Sequence, residues 1–487
     1  MRVAGAGLLA AAIAMILSAA VAVLDGGGGA RGLLLSALLT GLAGVVLFFG
    51  SRVSATADSA LAFASVAWSW LAVSLAGSLP FLLTGVIPWG QFDNALFESI
   101  SGFTCSGSTI LVNFDAVPQG VLFYRSLTQW LGGMGLVVLA VAVLPALGIG
   151  GLDLIASEAP GPTADRLTLR VRDTARQLWL LYGAMTGALT LVLLTIGMSA
   201  FDAVTHAFTT ISTGGFSPHA ESIAYFDSFT IELILMVGML LSGASFSIHW
   251  HALRQGIGAY RRVSEVRWYL SLVFGAFGML VWVNLGELGW LQNLRESLFY
   301  AVSLGSNTGF GNSDFVLWMP AAHLLLLVLM LVGGMSGSTA GGMKVLRLQV
   351  VFKYSFRELM RARHPNSVIP IRLGRTTIEE QIAAKVVGFV LLYLGLILAG
   401  GVILSGLGVD PVTAFSGSAS ALGNVGPALG EAGPTSNFLV FPRAGRIVLM
   451  AMMALGRLEL FPAMLMLVAS LRGIDRSRLR RDRERSQ

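Results

Sequence analysis

The sequence has little charge and almost no cysteine, and both scarcities exclude classes of protein. Only 12% of its 487 residues are Asp, Glu, Lys or Arg, whereas 55% are hydrophobic, and the mean hydropathy is +0.76. Soluble globular chains of this length do not have such a composition. The one cysteine, Cys105, excludes an intramolecular disulfide framework and a zinc or iron–sulfur site built on cysteines.

Long apolar runs take the place of the missing charge. Many reach the roughly 20 residues that cross about 30 Å of hydrocarbon, so we expect an all-α polytopic membrane protein. Of the 32 Lys and Arg residues, 23 lie in four alternate connections, at 149–176, 254–267, 344–375 and 472–487. The positive-inside rule places these connections and both chain termini in the cytoplasm. They also account for the pI near 9.8, and no nucleic-acid partner is expected.

The connections on the opposite side are acidic. They contain Asp93, Asp115, Glu221, Asp227, Asp314 and Glu431. Two interpretations stay open, namely a negative mouth that concentrates cations and ordinary solvated loop charge.

The first 50 residues are two apolar runs separated by Asp25 and four glycines. No globular segment follows the first run, so a transmembrane hairpin is expected rather than a cleaved leader. The glycine spacing at Gly5–Ala10 matches a dinucleotide fingerprint, but no strand precedes it. We interpret these small residues as helix-packing positions in lipid.

From about residue 58 one plan occurs four times: a long helix, a short half-spanning helix, a glycine loop and a second long helix. Together with the hairpin this predicts ten spans and four half-helices around one ion pore. The predicted segments are 58–87, 93–103, 104–109 and 121–148; 174–198, 201–211, 212–216 and 228–253; 266–288, 291–305, 306–311 and 318–356; and 379–405, 410–422, 423–428 and 443–471.

This plan divides the chain into an N-terminal hairpin (1–54), pore repeats 1 to 4 (55–150, 151–256, 257–365 and 366–472) and a basic cytoplasmic tail (473–487). The half-helices begin with a polar or acidic residue, as at Asp93 and Asp202, which suits a helix N-terminus. Their C-terminal ends then point at the loops and favour a cation there.

The four glycine loops carry the expected chemistry, because backbone carbonyls turned inward can replace the water shell of a monovalent cation. Glycine permits the necessary backbone twist, and hydroxyls of Ser106, Thr213 and Thr308 are further candidate ligands. The loops contain no carboxylate, which favours a monovalent cation over a divalent one. Potassium is favoured, with sodium as the alternative. The predicted filter residues are Cys105, Ser106, Gly107, Ser212, Thr213, Gly214, Asn307, Thr308, Gly309, Asn424, Val425 and Gly426.

Nearly the whole chain resembles the TrkH/TrkG/Ktr superfamily of bacterial potassium uptake proteins. The resemblance rests on Gln129–Gly135 with Leu144-Pro145, Ser212–Ser217, Asn424–Pro427, Gly337–Lys344 and Gly456–Glu459. The N-terminal hairpin and the loop Glu158–Pro162 are closer to TrkH than to the shorter Ktr subunit.

The resemblance implies an inner-membrane homodimer with one pore in each subunit. It also implies a cytosolic TrkA-like regulatory partner that binds the nucleotide, since this sequence has no P-loop and no dinucleotide fingerprint between a strand and a helix. The resemblance further implies that K⁺ is the transported ion, and no organic cofactor is expected on this chain.

The resemblance also indicates a gate in the third repeat. A glycine-rich segment would break a helix in the membrane just inside the filter. The predicted gate residues in it are Gly337, Ser338, Thr339, Ala340, Gly341, Gly342 and Lys344. The alternative is a packing kink. Arg457 lies in mid-span and is interpreted as a pore-facing barrier to cations, with a structural salt bridge to Glu459 as the alternative.

The first loop has Cys105-Ser106 where the family usually has Thr, and Val425 lacks a hydroxyl. Because carbonyls dominate coordination, we expect potassium preference to persist, with weaker discrimination against sodium. Glu98 and Glu296 are interpreted as buried scaffold residues.

Two other function classes fit the sequence less well. A potassium/sodium or potassium/proton coupled carrier would need intramembrane acidic residues, and the sequence has few. A membrane-embedded metalloenzyme would have to use His206, His249 and His251, but ligand-spaced partners are lacking. The chain is therefore expected to be a channel-like pore subunit and not an enzyme.

Overall fold

The computed structural model describes residues 1–51, 59–138, 167–364, 366, 367, 369–374 and 376–458. Outside these residues lie Leu144-Pro145, Glu158–Pro162, Glu459 and the basic tail. The helices and strands, named in chain order, are α1 (Arg2–Leu24), α2 (Ala30–Gly50), α3 (Ser59–Gly77), α4 (Leu79–Leu83), α5 (Phe92–Phe103), α6 (Gln119–Val138), α7 (Leu167–Thr195), α8 (Ala200–Ile211), α9 (Phe229–Ser242), α10 (Phe246–Gln255), α11 (Gly258–Arg262), α12 (Ser264–Val283), α13 (Trp290–Gly305), α14 (Pro320–Val332), α15 (Val345–Arg363), β1 (Ile371–Leu373), β2 (Thr376–Ile378), α16 (Glu380–Gly406), α17 (Pro411–Gly423) and α18 (Arg443–Arg457).

The four predicted half-helices are α5, α8, α13 and α17, each within one residue of its predicted ends. Two of the four begin with a side-chain cap, as their polar residues suggest. Ser199 accepts a hydrogen bond from the Asp202 amide at the start of α8, and Asp410 caps α17 with Pro411 in the first turn. A side-chain acceptor in this position satisfies an amide that would otherwise lack a partner inside the protein.

Contacts between repeats close the four units into a ring. The second helix of each repeat packs on the half-helix of the next one: α6 on α8, α9 on α13, α14 on α17, and α18 on α5. The last of these pairs joins the fourth repeat to the first. A single chain therefore surrounds one central axis, as the fourfold sequence pattern predicted.

Within the described ranges, five helices are long and apolar enough to cross a membrane, and counting the bent pair α9/α10 as one span gives six. Two predicted spans, 121–148 and 443–471, run past the described residues. The predicted span 318–356 is divided into α14, an intramembrane loop at 333–344, and α15. The predicted total of ten spans therefore stays a prediction.

The expected continuous helix at 228–253 was wrong. The chain bends by 96° between α9 and α10, at Gly243–Ser245. The carbonyl oxygen of Gly243 accepts a hydrogen bond from the Met335 amide at 2.8 Å, and the Phe246 amide donates to Gly337 at 3.1 Å. Backbone groups released by the bend thus find partners on the intramembrane loop, which is the condition for breaking a helix in hydrocarbon.

A small hairpin was also not predicted. Strands β1 and β2 pair antiparallel, with Ile371 opposite Ile378, inside a segment that was interpreted as a basic connection. Ile371, Leu373 and Ile378 are buried against Leu346 and Val350 of α15. The alternation of Ile371 and Leu373 before the left-handed Gly374 was the available signal.

The N-terminal hairpin packs closely because its facing residues are small. A Cβ at Gly5 of α1 would lie 2.5 Å from the Phe48 backbone nitrogen of α2, whereas a Cβ at Gly41 would lie 3.6 Å from the Ala12 Cβ, an ordinary contact. Close backbone approach of this kind is how helices associate in lipid.

We predict that Gly5→Ala lowers the thermal stability of the purified protein and that Gly41→Ala does not. Both substitutions gain about 1 kcal/mol of helix propensity. The difference in stability between the two variants therefore measures the steric clash at Gly5, and overpacking of this kind costs about 1–3 kcal/mol. The measurement is the unfolding temperature in detergent. Equal unfolding temperatures for the two variants would contradict the close packing at Gly5.

Candidate ion filter and gate

The four half-helices end in the same backbone motif. The second residue of each predicted loop is left-handed, with φ of 54° at Cys105, 52° at Thr213, 56° at Asn307 and 53° at Asn424. The next amide donates to the carbonyl five residues earlier, at 2.8 to 3.0 Å in all four loops. This is the Schellman helix ending, which satisfies the last helical carbonyls and turns the chain out of the helix.

Two residues further on, each loop has a left-handed glycine. The φ values are 80° at Gly107, 76° at Gly215, 80° at Gly309 and 114° at Gly426. A left-handed backbone costs other residues about 1–2 kcal/mol, so glycine suits the position. The alternation of left-handed residues turns the intervening carbonyls out of the helical direction.

These glycines show how the loops meet. A Cβ at Gly107 would overlap the Gly214 carbonyl oxygen, one at Gly215 would overlap that of Thr308, and one at Gly309 would overlap that of Val425. A Cβ at Gly426 would lie 3.1 Å from the carbonyl oxygen of Ser106, which closes the circle. Each loop therefore presents one carbonyl to the glycine of the preceding loop, and four equivalent carbonyls form a ring.

The second loop has a different register from the predicted one. Gly215, which was not among the predicted filter residues, is equivalent to Gly107, Gly309 and Gly426, while Gly214 is equivalent to Ser106. Ser212 precedes the left-handed residue and ends α8. Two adjacent glycines made both registers compatible with the sequence.

The ring carbonyls keep acceptor capacity. No donor in the described part of the chain is hydrogen-bonded to the carbonyl oxygens of Ser106, Thr308 or Val425. The fourth, that of Gly214, accepts from Gln129 Nε2 at 2.7 Å, and Gln129 Oε1 accepts from the Phe216 amide at 3.1 Å. Gln129 therefore supports the second loop from behind, a role that the sequence did not indicate.

The side chains predicted as additional ligands are used within their own loops. Thr213 Oγ1 donates to the Ser212 carbonyl at 2.6 Å. Ser106 Oγ lies 3.3 Å from Ser108 Oγ, and Thr308 Oγ1 lies 2.8 Å from Ser306 Oγ. The loop backbone is thus the main source of oxygens that lack other partners.

Hydroxyls in the last turn of the half-helices brace the loops. Ser101 Oγ donates to the Ser108 carbonyl, Ser303 Oγ to that of Phe310 at 2.7 Å, and Ser420 Oγ to that of Gly426 at 3.0 Å. These three serines occupy equivalent positions. Their common spacing before three of the four glycine loops was a signal that sequence reasoning missed.

A buried ion pair within the first repeat also contacts the second repeat behind the filter. Glu98 of α5 accepts from Arg125 of α6 and from the Ile110 amide at 3.1 Å. Arg125 also donates to the Ser217 carbonyl at 2.9 Å and stacks over the Phe216 ring. Glu98 has the expected scaffold position, whereas the buried Glu296 accepts from Gln292 on its own helix.

All four ring glycines border one cavity of about 200 Å³ on the outer side of the loops. No Asp or Glu among the described residues lines it. Asp93 instead binds Arg443 and Arg446, and these ion pairs join α5 to α18. The hydrogen bond from Arg443 is the largest effect that holds the pKa of Asp93 below its ordinary value. These contacts favour the interpretation of the outer acidic residues as ordinary loop charge over that of a negative mouth that concentrates cations.

The intramembrane loop at 333–344 lies on the inner side of the filter. Thr339 Oγ1 donates to the carbonyl of Ile211, just before the second loop, at 3.0 Å. A Cβ at Gly341 would overlap the carbonyl of Gly423 at the end of α17. Lys344, also left-handed, donates to the Ala340 carbonyl across the loop. The predicted gate residues are therefore gathered beneath the ring.

Arg457 joins this loop to the first repeat. Its guanidinium donates to the Thr339 carbonyl at 2.9 Å, the Gly132 carbonyl at 3.1 Å and Cys105 Sγ at 3.0 Å, and its side chain is 1% exposed. These partners are uncharged. The alternative partner, Glu459, lies outside the described residues.

Two of the three histidines that raised the metal interpretation, His206 and His249, are in local hydrogen bonds. His249 contacts the Tyr260 hydroxyl at 2.6 Å and the Leu241 carbonyl at 2.8 Å. His206 contacts the Asp202 carbonyl at 2.9 Å and Ser217 Oγ at 3.1 Å. Both ring nitrogens of each histidine thus have partners, as in a packing role.

Comparisons with known proteins agree with this architecture. The family model described as TrkH, cation transport protein, matches residues 36–276 and 286–472. The Trk system potassium uptake protein TrkH of Halomonas elongata is 42% identical over 82% of this chain and 83% of its own length, and the TrkH protein of Escherichia coli K12 is 38% identical over the same shares. The crystal structure of the potassium transporter TrkH from Vibrio parahaemolyticus superposes with a TM-score of 0.87 and 33% identity, and the match covers 96% of this chain and 97% of that one.

We predict that Gly215→Ala reduces potassium flux into proteoliposomes far more than Gly214→Ala. A Cβ at Gly215 overlaps a backbone carbonyl of the ring and occupies a left-handed position, whereas one at Gly214 meets the movable carboxamide of Gln129. The left-handed cost of about 1–2 kcal/mol corresponds to roughly a tenfold effect. A larger loss in Gly214→Ala would instead support the register first expected from the sequence.

Proposed function

The chain belongs to the TrkH family of cation transport proteins, and from this premise we propose that it is the channel-like pore subunit of a Trk-type potassium uptake system. The observation that best supports this function is the ring of four equivalent carbonyls, each facing the glycine of a neighbouring loop. These carbonyls belong to Ser106, Gly214, Thr308 and Val425. Such a ring replaces the hydration shell of K⁺ with neutral oxygens.

Potassium preference follows from the source of these oxygens. Cys105 contributes its side chain to Arg457 and to the Gln129 carbonyl, and Val425 contributes its carbonyl to the ring. Neither departure from the family pattern removes a ring oxygen. We therefore expect discrimination between potassium and sodium to persist. The proposed filter consists of the residues predicted from the sequence, together with Gly215.

The gate is the intramembrane loop with Arg457. The loop meets the inner side of the filter at Thr339 and Gly341, and Arg457 holds the Thr339 carbonyl. A buried cation on the exit path raises the barrier for another cation. Opening requires the loop to leave these contacts, including the hydrogen bond that Arg457 donates to the Thr339 carbonyl.

The remaining assignments follow the family. The protein functions in the bacterial inner membrane, with the basic connections and both termini in the cytoplasm, as a homodimer. A cytosolic TrkA-like subunit carries the nucleotide site and acts on the gate. The names of the relatives, which describe them as parts of a Trk system, support a multicomponent assembly. The domain limits proposed are those of the hairpin, the four repeats and the tail.

We predict that Arg457→Gln increases potassium flux through the protein reconstituted without partner, because it removes both the buried charge and part of the loop anchor. Arg457→Lys keeps the charge but cannot reach the three acceptors at once. Low flux in the lysine variant with high flux in the glutamine variant identifies the charge as the barrier. High flux in both identifies the anchor, and wild-type flux in both contradicts the gate.

The alternative function, a coupled carrier, can be tested at one buried carboxylate. Glu265 is buried at the start of α12, and it accepts a hydrogen bond from the Ser336 amide of the intramembrane loop at 2.7 Å. A carrier that exchanged protons would need a protonatable group in contact with a moving element. Glu265 has that placement, although it also suits a purely structural loop anchor.

For a channel we predict reversal potentials that shift by about 59 mV for each tenfold potassium gradient and do not respond to an imposed pH gradient. The measurement is made on wild type and on Glu265→Gln, which keeps the shape of the side chain. A pH-dependent reversal potential in wild type that disappears in Glu265→Gln would establish the carrier and overturn the channel.

A further inference from the structure

A basic cleft opens at the inner end of α12, away from the ion path. It has a volume of about 600 Å³ and lies between α12, α15 and the turn of the β-hairpin. The residues that define it are Arg267, Trp268, Gln349, Lys353, Arg372 and Ser264. Its size is that of ligand pockets in general.

The positive charge of the cleft is not neutralised by the described part of the protein. The side chains of Arg267 and Arg372 have no hydrogen-bond or ion-pair partner among the described residues, and Lys353 donates to the Arg372 carbonyl. Burial, followed by the like charge of Arg267, lowers the pKa of Lys353. Three cations converge here without a carboxylate, which is the arrangement of an anion site.

The nearest acidic side chains are engaged elsewhere. Glu358 and Glu380 both bind Arg357, one turn further along α15. Glu265, two residues before Arg267, is turned inward to the Ser336 amide. An anion from outside the chain is therefore needed to neutralise the cleft.

Apolar side chains continue from the cleft along both helices. On α12, Leu270 and Phe274 follow Arg267 by three and seven residues, which places them on the same face, and they are 39% and 50% exposed. On α15, Phe352 and Phe356 are 60% and 54% exposed. A ligand seated in the cleft would thus have a charged end among cations and an apolar part along these residues.

The cleft also lies at the depth of a membrane interface. It surrounds the first turns of α12, a helix long and apolar enough to span the membrane. The Trp268 indole, which packs edge-on against Phe352 at 5.5 Å, belongs to the residue type that concentrates at headgroup level. The side of the membrane is that of the basic connections.

We propose that this cleft is a binding site for an anionic phospholipid of the inner leaflet, with its phosphate held by Arg267, Lys353 and Arg372 and its acyl chains lying along Phe274 and Phe356. Basic pockets between helices on the cytoplasmic side have the chemistry for phosphate headgroups. The site has a direct connection to the intramembrane loop, because α15 begins at the residue after Lys344.

The test measures lipid affinity by native mass spectrometry of the full-length protein in detergent, titrated with dioleoyl phosphatidylglycerol or dioleoyl phosphatidylcholine. Each basic residue near a charged lipid surface contributes about a fivefold factor in affinity. We therefore expect Arg267→Gln/Arg372→Gln to weaken phosphatidylglycerol binding by roughly 25-fold and to leave phosphatidylcholine binding unchanged.

The matched control is Arg261→Gln/Arg262→Gln, which removes the same charge from exposed residues of α11 outside the cleft. It is expected to bind phosphatidylglycerol like wild type. An equal loss in both double variants would reduce the effect to diffuse surface charge and overturn the site. If the cleft double variant fails to fold, the single variants Arg267→Gln and Arg372→Gln are each expected to lose about fivefold.

Two further outcomes would overturn the lipid as occupant. Displacement of phosphatidylglycerol by inorganic phosphate would mean that a free anion fills the cleft. A change in the monomer–dimer ratio of the cleft variants, without a change in lipid affinity, would mean that a second copy of the chain covers this face. Potassium flux in phosphatidylcholine vesicles is measured in parallel, so that loss of the pore is distinguished from loss of the lipid site.

Discussion

Inside hydrocarbon, a backbone polar group without a partner costs several kcal/mol, and the central part of this protein is organised by that constraint. A cation filter needs carbonyl oxygens that are free to bind an ion, yet it has to be built from non-helical chain in the middle of a membrane. The four half-helices resolve the conflict with one motif. Their Schellman endings satisfy the amides of the turn and leave the ring carbonyls of Ser106, Thr308 and Val425 without a donor.

The same constraint explains why two broken helices lie together. The bend at Gly243–Ser245 releases backbone groups of the second repeat, and the loop at 333–344 releases those of the third. Each supplies partners to the other through Met335 and Gly337. Movement of the loop, as the proposed gate requires, would therefore expose polar groups on both repeats, and water in the pore would have to replace these hydrogen bonds.

The positions of the half-helices and of the glycine loops were predictable, because helix length, polar first turns and glycine spacing are local properties of the sequence. The filter register in the second repeat was not, since Gly214 and Gly215 are both glycine and only the backbone angles distinguish them. The bend in 228–253 depends on a loop about ninety residues later in the chain. Asp93 illustrates the same limit, because its partners Arg443 and Arg446 lie in the last described helix.

The ring is made by four different loops of one chain, and this has a consequence for how the protein can vary. In a pore assembled from four identical subunits, any codon change alters all four quadrants at once. Here each quadrant is encoded by a different segment of the chain. A departure from the family pattern, such as Cys105 or Val425, therefore affects one quarter of the ring and leaves the other three unchanged. Placing the four loops on one chain thus replaces an all-or-none mutational target with four separate ones, through which ion preference can change in small steps.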